Sequence, residues 1–200
     1  MSLTRAQEIL EPLLNKDTGY LDITFVGGET LLAIDVIVPL VEWIEKHSWK
    51  KKYRFLGATN GTLLNEDLKI WIKSRKERFT LALSYDGLPS TQESNRGNLP
   101  IDLDYFIKTW PNQPIQMTIN SDAVKNLAEG VIYLLEKGAT VHPNVAYEEY
   151  DWKPSDIIEY GRQLEILAEY YNKHENLPPI TQFQHDINSY ANCITKPLPQ

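Results

Sequence analysis

Residues 23–32 read ITFVGGETLL. A β-branched and aromatic run gives way to two glycines and a lone carboxylate, and then to leucines. Ile23 to Val26 have the composition of a buried strand. Gly27 and Gly28 punctuate its end, and Glu29 brings a charge to a place a core would refuse. The neighbouring pattern decides what this strand belongs to. Apolar spacing of helical type covers 4–15, followed by a strand over 21–26, a helix over 34–47, a strand over 53–58 and a helix over 65–76. The order continues with strand-like FTLALSY (79–85) and IQMTI (115–119), a helix over 122–137, strand-like ATVHPNVAY (139–147) and a long helix from Lys153 to about Lys173, with Pro154 near its start.

Five strands separated by helices predict an α/β fold of parallel β-α units with right-handed crossovers, as an open wound sheet or a barrel. The segment 85–114 reads as irregular, although DLDYFIKTW (102–110) suits a short helix. The core is expected over 1–176. Residues 177–200, rich in Pro and Asn, read as an extension.

Polar residues gather where each predicted strand stops: Gly27-Gly28-Glu29, Thr59-Asn60-Gly61-Thr62, Ser84-Tyr85-Asp86-Gly87 and Asn120-Ser121-Asp122. In a parallel α/β fold these ends share one face, where binding sites form. Each cluster also has a structural reading. Glycine supplies a positive φ for a turn, Asn-Gly and Asp-Gly are ordinary turn dipeptides, and Asn120, Ser121 or Asp122 can cap the helix that follows. Four such clusters together favour one binding cleft.

Bulk properties narrow the partners. Two hundred residues, 42% of them apolar, suit one or at most two domains. A net charge of −7 gives no field for a phosphate backbone, and the one dense basic run is Lys50-Lys51-Lys52, so nucleic acid is not an expected partner. No apolar run approaches the roughly 20 residues of a membrane span. A single cysteine, Cys193, excludes an internal disulfide framework, and a cytoplasmic setting is expected. The histidines at 47, 142, 174 and 185 show no ligand spacing, and no metal site is expected in this chain.

ITFVGGETLL resembles the GGE strand end of radical S-adenosylmethionine enzymes. ATNGTLLNEDL is similar to their next strand end, and LSYDGLPSTQESNR to their S-x-D-G segment with its asparagine-arginine pair. MTINSDAVKNLAEGVIYLLEKGA resembles the following strand and helix in the branch that modifies peptides and sulfatases. The resemblance runs in order over about residues 5 to 150. It implies a partial TIM-like barrel, an oxidoreductase class of chemistry and a peptide or protein substrate. By the same resemblance, the backbone at Gly27 and Gly28, with the Glu29 carboxylate, would hold the amino group of the methionine moiety. Ser84 would lie near the ribose or carboxylate, Asn60 and Asp86 would line the cleft, and Arg96 would meet a carboxylate as a bidentate donor.

Two departures shape the expectation. Thr30 stands where the family usually has proline. The family's three cysteines, spaced C-x-x-x-C-x-x-C in a loop after the first barrel strand, have no counterpart, and the resemblance opens inside the family's first helix, at about Thr4. One cysteine cannot supply the thiolates of a [4Fe-4S] cluster. Cys193 is read either as an inert small residue or as the first cysteine of an auxiliary domain. The expectation is therefore a core fragment without catalytic residues of its own, binding S-adenosylmethionine weakly, with the iron–sulfur cluster confined to an intact protein. A cluster-free scaffold module and an unrelated α/β-barrel metabolite enzyme are the alternatives. Absence of the family's first strand would leave the edge of residues 21–26 unpaired, expose Ile9, Leu10, Leu13 and Leu14, and favour a homo-oligomer, either through that edge or with the helix over 4–15 folding over the edge and burying it.

Overall fold

The computed structural model describes residues 1–17, 19–146 and 151–184. Cys193, His185 and the end of the last predicted strand lie outside these residues. In chain order the elements are α1 (Leu3–Leu14), β1 (Tyr20–Phe25), α2 (Ile34–Lys46), β2 (Lys52–Thr59), α3 (Glu66–Lys73), β3 (Phe79–Leu83), α4 (Pro89–Arg96), α5 (Leu103–Thr109), β4 (Ile115–Ile119), α6 (Leu127–Glu136), β5 (Val141–Val145) and α7 (Pro154–Lys173). They form two compact units, residues 1–84 with 99–113, and residues 85–98 with those from 114 onward.

The first unit holds a parallel sheet in the order β1-β2-β3. Its register sets Ile23 opposite Phe55, and Phe55 opposite Phe79. Alternation of side chains along the strands puts these rings on one face. Phe55 and Phe79 are fully buried, their ring centroids 5.8 Å apart, and Phe25 stacks on Phe55 at 6.1 Å. Helix α2 covers the sheet through Ile37, Leu40, Val41 and Ile44, all buried. The Trp110 indole N–H, just after α5, donates to the Phe79 carbonyl at 3.0 Å. Local chemistry sets the helix limits: the Asn65 side chain accepts from Leu68 N at 2.9 Å and so starts α3.

The second unit holds β4 and β5 as a separate parallel pair, with Met117 facing Pro143. Helix α6 is the apolar element here, burying Leu127, Val131, Leu134 and Leu135. The Gln163 side chain on α7 accepts from Ala128 N at 2.9 Å and so satisfies a donor in the first turn of α6. At the start of α7 the Asp156 carboxylate accepts from Lys153 N at 2.9 Å. Residues 178–184 continue the packing of this unit: Ile180 is fully buried, and the Tyr171 hydroxyl donates to the Pro178 carbonyl at 2.8 Å.

Among the described residues five parallel strands are present, as ladders of three and two. A long excursion separates β3 from β4. It carries two short helices, and strand pattern alone does not say which strands hydrogen-bond. One of those helices, α4, falls in the segment read as irregular. Its buried residues are the polar Thr91 and Gln92, so it leaves no apolar signal. Strand β1 pairs only with β2 among the described strands, and Val26 beyond its end is 88% exposed. The expected exposure of α1 is corrected at Leu14, which is fully buried; Leu10 and Leu13 are half-buried and Ile9 is exposed.

Candidate functional site

The parallel register brings the residues after β1, β2 and β3 to one edge of the first unit. Gly27-Gly28-Glu29, Asn60 and Ser84 all stand there, at the C-terminal strand ends. Glu29 joins two of these loops. Its Oε1 accepts from Leu31 N at 3.0 Å, starting the 3₁₀ turn Thr30–Ala33, and from the Thr59 hydroxyl at 2.7 Å. Its Oε2 accepts from Asn60 N at 2.7 Å. A carboxylate offers about four acceptor positions; among the described residues three are filled and one on Oε2 remains. Thr59 is the relay: besides donating to Glu29, its hydroxyl accepts from Gly61 N at 3.0 Å.

Asn60 is oriented in the same way. Its Oδ1 accepts from Thr62 N at 3.0 Å and from the Thr62 hydroxyl at 2.8 Å, which leaves the Nδ2 donors without a partner among the described residues. Ser84 N donates to the Thr59 carbonyl at 2.9 Å and so extends the ladder into this rim. Where the resembling family has proline, the buried Thr30 donates its hydroxyl to the Phe25 carbonyl at 3.3 Å. A hydrogen bond thus does the stiffening that a ring would do.

The glycines divide into two kinds. Gly61 and Gly87 have φ of +80° and +86°, and an added Cβ would crowd Leu83 at 3.0 Å and the Gly130 backbone at 2.8 Å. Their turns demand glycine. Gly27 and Gly28 have no positive φ, and a Cβ on either would meet nothing within 4 Å. Neither backbone conformation nor packing of this chain requires glycine there. Their carbonyls accept no turn or cap hydrogen bond among the described residues. Gly27 and Glu29 also border a mainly apolar cavity of about 420 Å³ reaching down to Ile37 and Leu40.

Asp86 and Arg96 belong to the second unit and form a cluster of their own. Asp86 is 1% exposed. Its Oδ1 accepts from Arg96 Nη2 at 3.0 Å and Thr118 N at 2.9 Å, and its Oδ2 from Arg96 Nε at 2.8 Å and Asn95 Nδ2 at 3.2 Å. All of about four acceptor positions are thereby used. Asp86 N in turn donates to the Gln92 side chain at 2.8 Å. Arg96 makes a bidentate fork to the Asp86 carboxylate and donates to the Thr118 hydroxyl; its Nη1 makes no hydrogen bond with a described residue. Asn120 accepts from Ala123 N at 2.8 Å and so closes a turn; the N-caps of the 3₁₀ turn and of α6 that follow are Ala123 and Asn126, so the capping role weighed for Asn120 from sequence is corrected. Thr59 was the residue missed as a site member. It opens the TNGT run, and a hydroxyl directly before Asn-Gly at a strand end was the available signal.

The described residues do not fit an iron–sulfur cluster. Thiolates are its normal ligands, and no group of three or more His, Cys, Asp or Glu side chains among the described residues could hold a metal ion.

No protein-family model matches the sequence. An uncharacterized protein of Methanocaldococcus jannaschii is 28% identical over 153 residues, 69% of this chain and 50% of that protein. Among solved structures, native anSMEcpe with bound AdoMet superimposes with a TM-score of 0.71 and 22% identity, over 88% of this chain and 54% of that one. The structure of native anSMEcpe with bound AdoMet and Cp18Cys peptide gives 0.68 and 24%, over 88% and 55%. The chain thus spans about half the length of the proteins it matches. Over 88% of its length it has the fold of anSMEcpe, an anaerobic sulfatase-maturating enzyme of the radical S-adenosylmethionine family.

Proposed function

We propose that the C-terminal strand ends of the first unit bind S-adenosylmethionine, in a protein of the radical S-adenosylmethionine family that modifies a peptide or protein as the sulfatase maturases do. The observation that carries this reading is the pair Gly27 and Gly28, which nothing in the chain's own backbone or packing requires to be glycine. Their bare backbone suits a ligand that comes closer than a Cβ would allow. The AdoMet and peptide bound in the anSMEcpe structures of the same fold support the choice of ligand and substrate class.

The roles follow from the donors and acceptors at the rim. The carbonyls of Gly27 and Gly28 and the remaining Oε2 acceptor of Glu29 take the ammonium of the methionine moiety. The bonds from Thr59, Leu31 and Asn60 hold that carboxylate in place, so little side-chain freedom is lost on binding. The Nδ2 donors of Asn60 and the Ser84 hydroxyl face the carboxylate or ribose. The cavity beside Gly27 gives the apolar parts of the ligand a wall. When bound, S-adenosylmethionine supplies an adenosyl group activated on a sulfonium. This chain's residues bind and orient it.

Calorimetric titration with S-adenosylmethionine tests the reading. Gly27→Ala and Gly28→Ala should fold as the parent does and each weaken binding by about tenfold, equivalent to about 1.4 kcal/mol. Parent-like affinity in both folded variants would remove the glycine backbone from the site.

A further inference from the structure

The opposite edge of the same sheet carries a second concave surface, and the Lys50-Lys51-Lys52 run lies beside it. Tyr20 and Lys52 face each other at the starts of β1 and β2, and Arg78 immediately precedes β3. Together with Trp49, Lys51 and Tyr53 they border a cavity of about 560 Å³, within the range of small-molecule sites.

Arg78 is unlike the other arginines. Arg5, Arg54, Arg75, Arg96 and Arg162 each have a carboxylate oxygen at 3.0 Å or less. Arg78 has none among the described residues. It is nevertheless held: its guanidinium lies 5.3 Å from the centroid of the Tyr53 ring, and its Nη1 donates to the Tyr53 hydroxyl at 3.2 Å. Lys51 and Lys52 likewise form no ion pair with a described residue. Of the two carboxylates bordering the cavity, Glu45 is spent on Arg75 at 3.0 Å, and Glu77 alone opposes the three cations. The aromatic wall is equally fixed. Trp49 donates its indole N–H to the Ile44 carbonyl at 2.7 Å, and its ring packs 5.1 Å from Trp43 and 5.5 Å from His47.

We propose that this cavity is a binding site for a small aromatic anion, a flat ring bearing a phosphate or carboxylate. The anionic group pairs with Arg78, Lys51 and Lys52, and the ring lies against Trp49 and Tyr53. A guanidinium already oriented on a ring and lacking a carboxylate suits an incoming anion, because little ordering remains to be done. The site is independent of the glycine rim and of the function proposed for it.

The test is a titration of the full chain with phenyl phosphate, with inorganic phosphate and phenol as the separated halves, followed by the indole N–H signal of Trp49. Phenyl phosphate should move that signal and bind at least about fivefold more tightly than either half, with affinity falling as salt screens the charges. Arg78→Gln should weaken it by about fivefold or more, Glu77→Gln should strengthen it, and Arg5→Gln should leave it unchanged. Tyr53→Leu should abolish the preference for phenyl phosphate over phosphate while phosphate still binds. Equal binding of phosphate and phenyl phosphate, an unmoved Trp49 signal, or parent-like affinity in folded Arg78→Gln would each overturn the proposal.

Discussion

Glu29 and Asp86 look alike in the sequence: each is a carboxylate just past the end of a parallel strand, with glycine beside it. In the folded chain they differ in what they have left to offer. Asp86 is buried, and Arg96, Asn95 and Thr118 take every acceptor position. Glu29 is half-buried, and its chain partners leave one position open. The glycines repeat the contrast. Gly87 is demanded by its own turn, whereas Gly28 is demanded by nothing within the chain. A carboxylate at a strand end is therefore a ligand group only where the chain has not already consumed it. Counting lone pairs separates the two cases where residue type cannot.

Stability measurements can break this contrast. The largest effect is expected at Asp86→Ala, which strands the Arg96 guanidinium and the Thr118 N–H; removing one partner of a buried pair costs about 3–5 kcal/mol, with the lower end expected because Arg96 reaches solvent. Urea unfolding reads this directly, and a loss under about 1 kcal/mol would mean that the cluster is not the hub its distances indicate. Gly87→Ala comes next, at about 2–3 kcal/mol, since it adds left-handed strain to a clash with the Gly130 backbone at 2.8 Å. Gly28→Ala should stay within about 0.5 kcal/mol of the parent, and a loss matching that of Gly87→Ala would dissolve the distinction between the glycines. Glu29→Gln is expected to cost about 1–2 kcal/mol, because charge-assisted bonds to Thr59, Leu31 and Asn60 become ordinary ones or are lost.

A small effect belongs to a third carboxylate, on the surface of the first unit. Hydrogen bonding to Lys69 holds the Asp102 carboxyl below its usual range, and the same pairing raises Lys69. The contribution of Asp102 is fully present above its unfolded value of about 4 and fades as pH falls through the lower folded value; that of Lys69 persists until pH rises past about 10.4. Because Asp102 is largely exposed, the pair is worth only about 0.5 kcal/mol. Asp102→Asn should lose less stability than the parent between pH 5 and 3, as read from urea midpoints. Identical pH profiles would show that the pair contributes nothing.

Much of this architecture was legible because the strands are short apolar runs bounded by glycine and polar residues, and IQMTI falls on β4 residue for residue. The helix α4 was not, since it buries a threonine and a glutamine and gives periodicity nothing to detect. The division into two ladders was hidden for a different reason: alternation along a strand fixes which face is buried and is silent about the neighbouring strand. The strand-end rim was visible in GGE and TNGT. That Glu29 is clasped by Thr59, thirty positions away, and that Asp86 is saturated by Thr118, thirty-two away, are long-range hydrogen bonds with no local trace.

The most direct test of the central claim follows backbone and side-chain amide signals during titration with S-adenosylmethionine. The account predicts shifts at Gly27, Gly28, Asn60 and Ser84, including the Asn60 side-chain amide, and none at the Arg96 Nε–H bonded to Asp86. Shifts that bypass Gly27, Gly28 and Asn60, or no shifts at saturating ligand, would contradict it.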